Sequence, residues 1–432
     1  WPTAGNVTTD VDEVFSTFLY NGTGSAQTIT NSINLSGEGG LVWTKQRNTT
    51  KNHALMDTAR GTNKYLISNT DAAENTGGTL VTSFNLNGYS IGSGGFANIS
   101  GGEYVSWTFR KAAKFFDVVT YTGNFTAGTT ISHNLGQTPG MIIFKDTSNT
   151  RNWYVYHRSL GKSTFLSLDQ TIASFSNTFM LNNTDPTSTE FTLGEATNTN
   201  ANGATYVAYL FAHNNNDGGF GPDQDADIIK CGSYTGNGSS TGPEIDLGFE
   251  PQWLMIKNTS AAHNWIIVDV MRGFSAGPQA NTLLPNSSAA EDPAGTRVKP
   301  TSTGFQIITS SNDYNQNTHN FIYMAIRRGP LAQPTSATNV FAISTFGQAG
   351  DSKAPAYRST FPVDMHFETT TAGASKFISS RLTGNKYVKT DSTAAEVADS
   401  NLDHDYMNGV YTSTGTVSAY YGWMWKRAPG YF

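Results

Sequence analysis

The feature that most constrains the fold is a set of short motifs that recur along the 432-residue chain. One motif is centred on a tyrosine and occurs as FLYNGTG, VTYTGN and GSYTGNG. A second is an apolar stretch that ends in a lysine, and it occurs as GLVWTK, PGMIIFK and PQWLMIK. These lysines are Lys45, Lys145 and Lys257, which gives a period of about 100 residues. A fixed period of this kind predicts one supersecondary unit that is built several times.

A fourth, more divergent copy follows the first three. Its stretch SSRLTGNKYVKTDSTAAE resembles TARGTNKYLISNTDAAE of the first copy. The string WMWKRAPGYF at 423–432 also resembles WTFRKAAKFF at 107–116, which joins the first copy to the second. We therefore expect the chain to be part of a longer product, or its terminus to dock onto another molecule. The predicted organisation is an N-terminal linker at 1–14 and units at 15–115, 116–222, 223–335 and 336–432.

The pattern inside each unit is that of β-strands. Apolar stretches of strand length alternate with turns rich in Gly, Asn, Pro and Asp, such as TGNGSSTGP. TYVAYLFA at 205–212 is apolar on both faces, as expected for a strand inside a two-sheet stack. The predicted fold class is all-β, with four tandem β-sandwich units of jelly-roll or concanavalin-like type, each with room for its own core. A four-bladed propeller is the rival, but about 100 residues is too long for one blade.

Bulk properties exclude several classes of protein. The net charge of -6 and a pI near 5.7 argue against a general nucleic-acid binder, which needs a basic surface. No apolar run approaches the ~20 residues of a membrane helix, so we expect no membrane span. A single cysteine, Cys231, forbids an intrachain disulfide and favours a bacterial or viral origin with assembly in a reducing cytosol. No catalytic pattern is convincing, and the sequence predicts that the protein is not an enzyme.

One acidic stretch suggests a metal site. GPDQDADIIK places Asp223, Asp225 and Asp227 two residues apart, just before the third unit. Oxygen-rich loops of this kind can bind Ca²⁺, which would then be the only cofactor. The stretch is no EF-hand, because Ile228 and Tyr234 occupy the positions where that loop needs Gly and Glu. The alternative interpretation is a solvated linker.

Two recurring residue types have a functional and a structural interpretation. The repeated arginines could clamp a carboxylate or phosphate ligand, or they could pair with a neighbouring Asp or with loop carbonyls and hold the fold. The Asn-Trp pairs could bind a sugar, or their indoles could lie in a core. The structural interpretation is favoured for both sets, which comprise Arg60, Arg158, Arg272 and Arg381, and Trp153 and Trp265.

Several stretches together resemble a known repeat family. DVDEVFSTFLYNGTG, GEGGLVWTK, ISHNLGQTPGMIIFK and EIDLGFEPQWLMIKN resemble uncharacterised repeat domains of tailed-phage structural proteins, especially marine and cyanobacterial ones. The resemblance covers most of the first three units and is weaker over the fourth. It implies a virion or tail-fibre-like protein with a concanavalin- or laminin-G-like sandwich, and it transfers no binding residues.

The function expected from these observations is attachment of a phage particle to its host. Tandem lectin-like sandwiches on the virion surface would bind a host cell-surface glycan weakly at many sites and gain avidity. A homo-oligomer in contact with other virion proteins is expected. One alternative is a purely structural component, such as a capsid decoration, a fibre shaft or a tail sleeve, and a polysaccharide depolymerase is a third hypothesis. Aromatic side chains clustered at loop ends would favour recognition, whereas aromatics buried between units would favour a scaffold.

Overall fold

The structure, a computed structural model, describes residues 9–77, 80–93, 95–274, 281–293, 297–346, 355–370, 376–399, 401–412 and 420–431. It is all-β, with 41% strand and 6% helix, as the sequence predicts. No helix in these ranges is long and apolar enough to cross a membrane. The helices are single turns, namely α1 Val11–Val14, α2 Leu35–Glu38, α3 Thr197–Asn200 and α4 Asn312–Asn315, with 3₁₀ turns at Val270–Arg272, Ala337–Asn339 and Arg381–Thr383.

The strands fall into four groups along the chain, which we call the first to fourth segments. Among the described residues, no sheet combines strands of two segments. The first segment contains β1 Phe15–Asn21, β2 Gln27–Thr30, β3 Gly40–Gln46, β4 Ala54–Asp57, β5 Lys64–Tyr65, β6 Asn75–Thr76, β7 Ser83–Asn85, β8 Gly88–Ile91 and β9 Glu103–Arg110. The second contains β10 Phe116–Thr122, β11 Thr129–Ser132, β12 Met141–Asp146, β13 Tyr154–His157, β14 Thr164–Ser167, β15 Phe175–Ser176, β16 Glu190–Leu193 and β17 Thr205–Phe211.

The remaining strands form two further groups. The third segment contains β18 Ile229–Thr235, β19 Glu244–Asp246, β20 Pro251–Asn258, β21 Trp265–Asp269, β22 Val298–Pro300, β23 Gly304–Ile307 and β24 Asn320–Arg327. The fourth contains β25 Phe341–Thr345, β26 Tyr357–Arg358, β27 Met365–Thr370, β28 Phe377–Ser380, β29 Lys386–Lys389, β30 Val397–Ala398, β31 Asp403–Tyr406, β32 Gly409–Tyr411 and β33 Tyr420–Trp425.

Each segment has one larger sheet with the same strand order. The first strand of the segment pairs with its last strand, which pairs with the third strand and then with the fourth. The orders are β1-β9-β3-β4, β10-β17-β12-β13, β18-β24-β20-β21 and β25-β33-β27-β28, and the second and fourth sheets each continue with two more strands. All these pairs are antiparallel. We call β9, β17, β24 and β33 the central strands.

The inner side of each larger sheet faces a smaller sheet of the same segment. In the first segment, Val42 of the larger sheet and Tyr89 of the smaller sheet belong to one buried cluster. In the third segment, Leu254 and Phe305 do the same. Because side chains alternate between the two sides of a strand, one side of each of these sheets is buried against the other sheet. This is the packing of a β-sandwich.

The outer sides of the first three larger sheets meet in one shared core. Trp107 of β9, Tyr209 of β17 and Met324 of β24 all lie in the same cluster, and each is buried. The expectation that every unit buries a core of its own therefore misses the core that the first three segments bury together. The physical reason is that strands apolar on both faces need a second cover, and here another segment provides it.

The end of the predicted N-terminal linker is packed rather than solvated. Val11 and Val14 of α1 are fully buried and belong to the shared core. The Asp10 carboxylate accepts hydrogen bonds from the backbone N–H groups of Leu331 at 2.8 Å and Ala332 at 2.7 Å. The beginning of the first segment is thereby fixed to the end of the third.

Candidate functional site

The most elaborate arrangement in the protein is the interface among the first three segments. At each of its three contacts, a backbone N–H of one segment donates to a carbonyl that follows the third strand of another. The acceptors lie two residues after Lys45, Lys145 and Lys257, so they occupy equivalent positions. The bonds run from Glu291 to Arg47 at 2.8 Å, from Glu74 to Thr147 at 2.8 Å and from Ser174 to Thr259 at 2.9 Å.

The recurring lysines belong to these contacts. Lys145 Nζ donates to the Asp71 carbonyl of the first segment at 3.2 Å, and Lys257 Nζ donates to the Thr171 carbonyl of the second at 2.8 Å. Lys45 donates to carbonyls of its own segment. Burial lowers the pKa of each of the three amines to about 8. Since their partners are backbone carbonyls, these lysines anchor loops of the interface.

In each of the first three segments, the residue at the end of the fourth strand contacts the central strand of another segment. The residues at this position are Asp57, His157 and Asp269. In the strand register, each lies opposite an apolar residue of the third strand that stands four positions before the recurring lysine. Tyr209 Oη donates to Asp57 Oδ2 at 2.8 Å, His157 Nε2 donates to the Tyr323 carbonyl at 3.1 Å, and Trp107 Nε1 donates to Asp269 Oδ2 at 2.9 Å. The first segment thus contacts the second, the second the third, and the third the first. We call this closed arrangement, residues 10–331, the three-segment ring.

His157 makes the stability of this ring sensitive to acid. The Ser159 N–H donates to Nδ1 at 3.2 Å, so the neutral imidazole carries its proton on Nε2. Burial lowers the pKa of His157 from 6.5 to about 3. Below pH 6.5 the unfolded chain takes up a proton that the folded chain does not bind. The contribution of the neutral imidazole is therefore complete above pH 6.5 and is lost progressively as the pH falls towards 3.

We expect the His157→Gln variant to lose less stability on acidification than the native chain. Between pH 7.5 and pH 5 the difference in unfolding free energy attributable to this one group is about 2 kcal/mol. Urea unfolding at both pH values measures it. Tyr156→Phe, on the same strand, serves as control because neither side chain titrates in this range. Equal losses in the native and His157→Gln proteins would contradict the assignment.

The structure confirms the structural interpretation for three of the four arginines. Arg60 pairs with Asp57 at 2.6 Å, and Arg272, which is buried, pairs with Asp269 at 2.7 Å. Arg381 is also buried and donates to the carbonyls of His404 and Val270. Arg158 differs, because it is exposed and contacts the imidazole of His213 at 2.6 Å. It follows His157 directly, so Leu160 and not Arg158 corresponds to Arg60.

Both tryptophans of the Asn-Trp pairs lie in the shared core. Trp153 Nε1 donates to the carbonyls of Ile67 at 3.0 Å and Thr70 at 3.1 Å, and Trp265 Nε1 donates to the Ser167 carbonyl at 2.7 Å. Each indole crosses to the neighbouring segment of the ring. Their interpretation as core residues is confirmed, and neither indole is exposed to a sugar.

The three aspartates of the predicted calcium site have different surroundings. Asp227 is buried, and its carboxylate accepts from the N–H groups of Asn216 at 2.8 Å and Gly218 at 3.1 Å. Asp223 and Asp225 are exposed and line a groove of about 570 Å³. No group of three or more His, Cys, Asp or Glu able to hold a metal occurs in the part of the chain that the structure describes. The calcium site stays a prediction.

A second groove, of about 1210 Å³, lies where the first, third and fourth segments meet. Half-buried Phe18 and Tyr406 and exposed Asn21 and Asn408 line it. Arg47 also lines it but already forms a bidentate pair with Glu291, at 2.8 Å for both bonds. The groove therefore offers aromatic rings and amides, and the Arg47 guanidinium in its wall is already paired. No sequence signal pointed to it, because its residues come from distant parts of the chain.

Comparison with known proteins gives one match. The model of a family described as a domain of unknown function, DUF7483, matches residues 10–330. Neither a curated protein nor a solved structure matches the chain. The matched range begins at Asp10, which binds the end of the third segment, and it coincides with the three-segment ring. Since the match covers well over half of the sequence, the chain belongs to the DUF7483 family.

Proposed function

We propose that the protein is a structural component of a phage virion and that its repeats serve as a building block. The observation that carries this proposal is the position of the tryptophans. All five in the first three segments are buried in the shared core, and they are Trp43, Trp107, Trp153, Trp253 and Trp265. A lectin-like surface would need such rings exposed, so their burial supports the scaffold over the attachment protein.

The building block comprises four tandem β-sandwich repeats with the boundaries given by the sequence. The common strand order of the four larger sheets supports this count. The inner clusters of the first and third segments support sandwich packing. The first three repeats form the ring, and the fourth is attached to it by Arg427, whose guanidinium pairs with Glu250 of the third at 2.5 Å.

The virion setting is supported by the resemblance of the repeat motifs to phage structural proteins. The single cysteine is consistent with assembly in a reducing cytosol. Cys231 is buried, and burial raises the pKa of its thiol far above the ordinary value, which keeps the group unreactive.

Host-surface glycan binding is the second candidate function, and the groove between the first, third and fourth segments favours it. Tyr406 could stack on a sugar, and Asn21 and Asn408 could bind its hydroxyls. In this case the purified chain should bind glycans saturably on an array, and Tyr406→Ala should abolish the binding. Asp223→Asn in the groove of about 570 Å³, measured with and without Ca²⁺, separates this site from the predicted metal site.

Antibody fragments test the structural role directly. We expect Fab fragments raised against the purified chain to decorate intact particles in electron micrographs. If the protein is structural, saturating Fab leaves adsorption of the particles to host cells unchanged, whereas an attachment protein would be blocked. Fab against an unrelated protein is the control. Absence of labelling on intact and disrupted particles would contradict the virion assignment altogether.

A further inference from the structure

The outer side of the larger sheet in the fourth segment is apolar and partly exposed. The side chains on this side alternate along the strands with those that face the inner cluster. Ile343 is 58% exposed and Tyr421 is 37% exposed. None of the other large apolar residues on this side is fully buried, and they are Phe341, Met365, Phe367, Ile378, Trp423 and Trp425. We call this set, with Ile343 and Tyr421, the fourth outer face.

Strand register shows that this face corresponds to the one that builds the shared core. Trp423 of the central strand β33 lies opposite Ile343 and Phe367. In the first segment, Trp107 of β9 lies opposite Thr17 and Trp43 in the same way. The equivalent central positions in the second and third segments are Tyr209 and Met324, opposite Ile143 and Met255 respectively. Trp107, Tyr209 and Met324 are buried at the centre of the ring.

The fourth segment contacts the ring through other surfaces. Asp364, which precedes β27, pairs with Arg328 of the third segment. Arg381, which follows β28, donates to the Val270 carbonyl at 3.2 Å. These residues lie at the ends of strands. Within the part of the chain that the structure describes, these attaching contacts do not use the fourth outer face.

The polar positions of the fourth outer face differ in one respect. Where the first three segments carry a buried lysine, the fourth carries Thr369, and where they carry Asp57, His157 or Asp269, it carries Ser380. At these two positions the fourth segment thus has small hydroxyls in place of the longer polar side chains, most of which hydrogen-bond to a neighbouring segment in the ring. Identical copies around an axis need no contacts that fix their order, and the apolar area alone can hold them together.

We propose that three copies of this chain associate through their fourth segments, which pack their outer faces around a common axis as the first three segments do within one chain. The occupant of the face is thus the same face of two further copies. Two observations carry this proposal. The fourth outer face is equivalent in strand register to the outer sides of the first three larger sheets, and those three sides pack together into a closed ring of three. Contiguous apolar side chains that remain partly exposed on one sheet side are a common mark of an interface. The proposal goes beyond the structural role, and it does not depend on the chain being part of a virion.

Mass measurement of the full chain tests it. Light scattering after size-exclusion chromatography should give three times the 46.6 kDa chain mass at micromolar concentration. Ile343→Asp places a charge on an exposed side chain of the face and should weaken association by at least about 30-fold, giving a monomer. Trp423→Ser should act in the same direction. Leu86→Asp, at a 71% exposed apolar residue of the first segment, is the matched control and should remain trimeric.

Circular dichroism of each variant shows whether it remains folded, and Ile343→Asp keeps the test valid if Trp423→Ser does not fold. A monomeric or dimeric native chain overturns the proposal. So does a trimer that persists in folded Ile343→Asp, because the copies would then meet through another surface.

Discussion

The Trp107→Ala variant is expected to lose about 3–5 kcal/mol of unfolding free energy. Trp107 is fully buried at the centre of the three-segment ring, where its indole packs edge-on against Trp43 at 5.7 Å and Trp253 at 6.5 Å. Truncation leaves a cavity between segments and removes the hydrogen bond to Asp269. Guanidinium unfolding followed by circular dichroism measures the change.

A matched control separates this effect from the loss of any large aromatic side chain. Phe179 in the second segment is 62% exposed, and Phe179→Ala should change stability by less than about 0.5 kcal/mol. A cost below about 1 kcal/mol for Trp107→Ala would show that the centre of the ring is not a well-packed core.

The Asp269→Ala variant should be destabilised by about 3–5 kcal/mol through a different mechanism. Asp269 accepts from Arg272, from Trp107 and from the Met271 N–H at 3.1 Å. The Arg272 guanidinium is inaccessible to water, so removing its carboxylate leaves a buried charge with one remaining acidic partner, Glu291 at 3.2 Å. Breaking a buried ion pair on one side costs more than the pair itself contributes.

Two further variants make this prediction specific. Asp185 forms an exposed pair with Lys162 at 3.2 Å, and Asp185→Ala should cost less than about 1 kcal/mol. The double variant Asp269→Ala with Arg272→Met removes both charges and should recover part of the loss. If Asp269→Ala costs no more than Asp185→Ala, the charge pair has no role in closing the ring.

The sequence predicted the period, the all-β class and the structural use of Arg60 and Arg272, because these are local properties. Strand alternation and an Asp three residues before an Arg are visible in a short window. Arg158 was aligned with Arg60 only by its neighbouring sequence, and the strand register corrects the alignment by two residues. The three lysines were visible as a repeat, but their partners were not.

The shared core could not be predicted, because its contacts join residues far apart in the chain. Trp107 and Asp269 are separated by 162 positions, and nothing near either of them indicates the other. The only local sign was that strands such as β17 are apolar on both faces. A two-sheet stack explains one apolar face of a central strand, and the second face required a neighbouring segment as cover.

Native-state hydrogen exchange tests the shared core most directly. The central strands β9, β17 and β24 should exchange with one common opening free energy as denaturant rises, because the three segments bury one cluster together. Trp107→Ala, which lies in β9 alone, should lower that free energy equally in all three strands. An effect confined to β9, with β17 and β24 unchanged, would show that the segments open independently and that no cooperative ring exists.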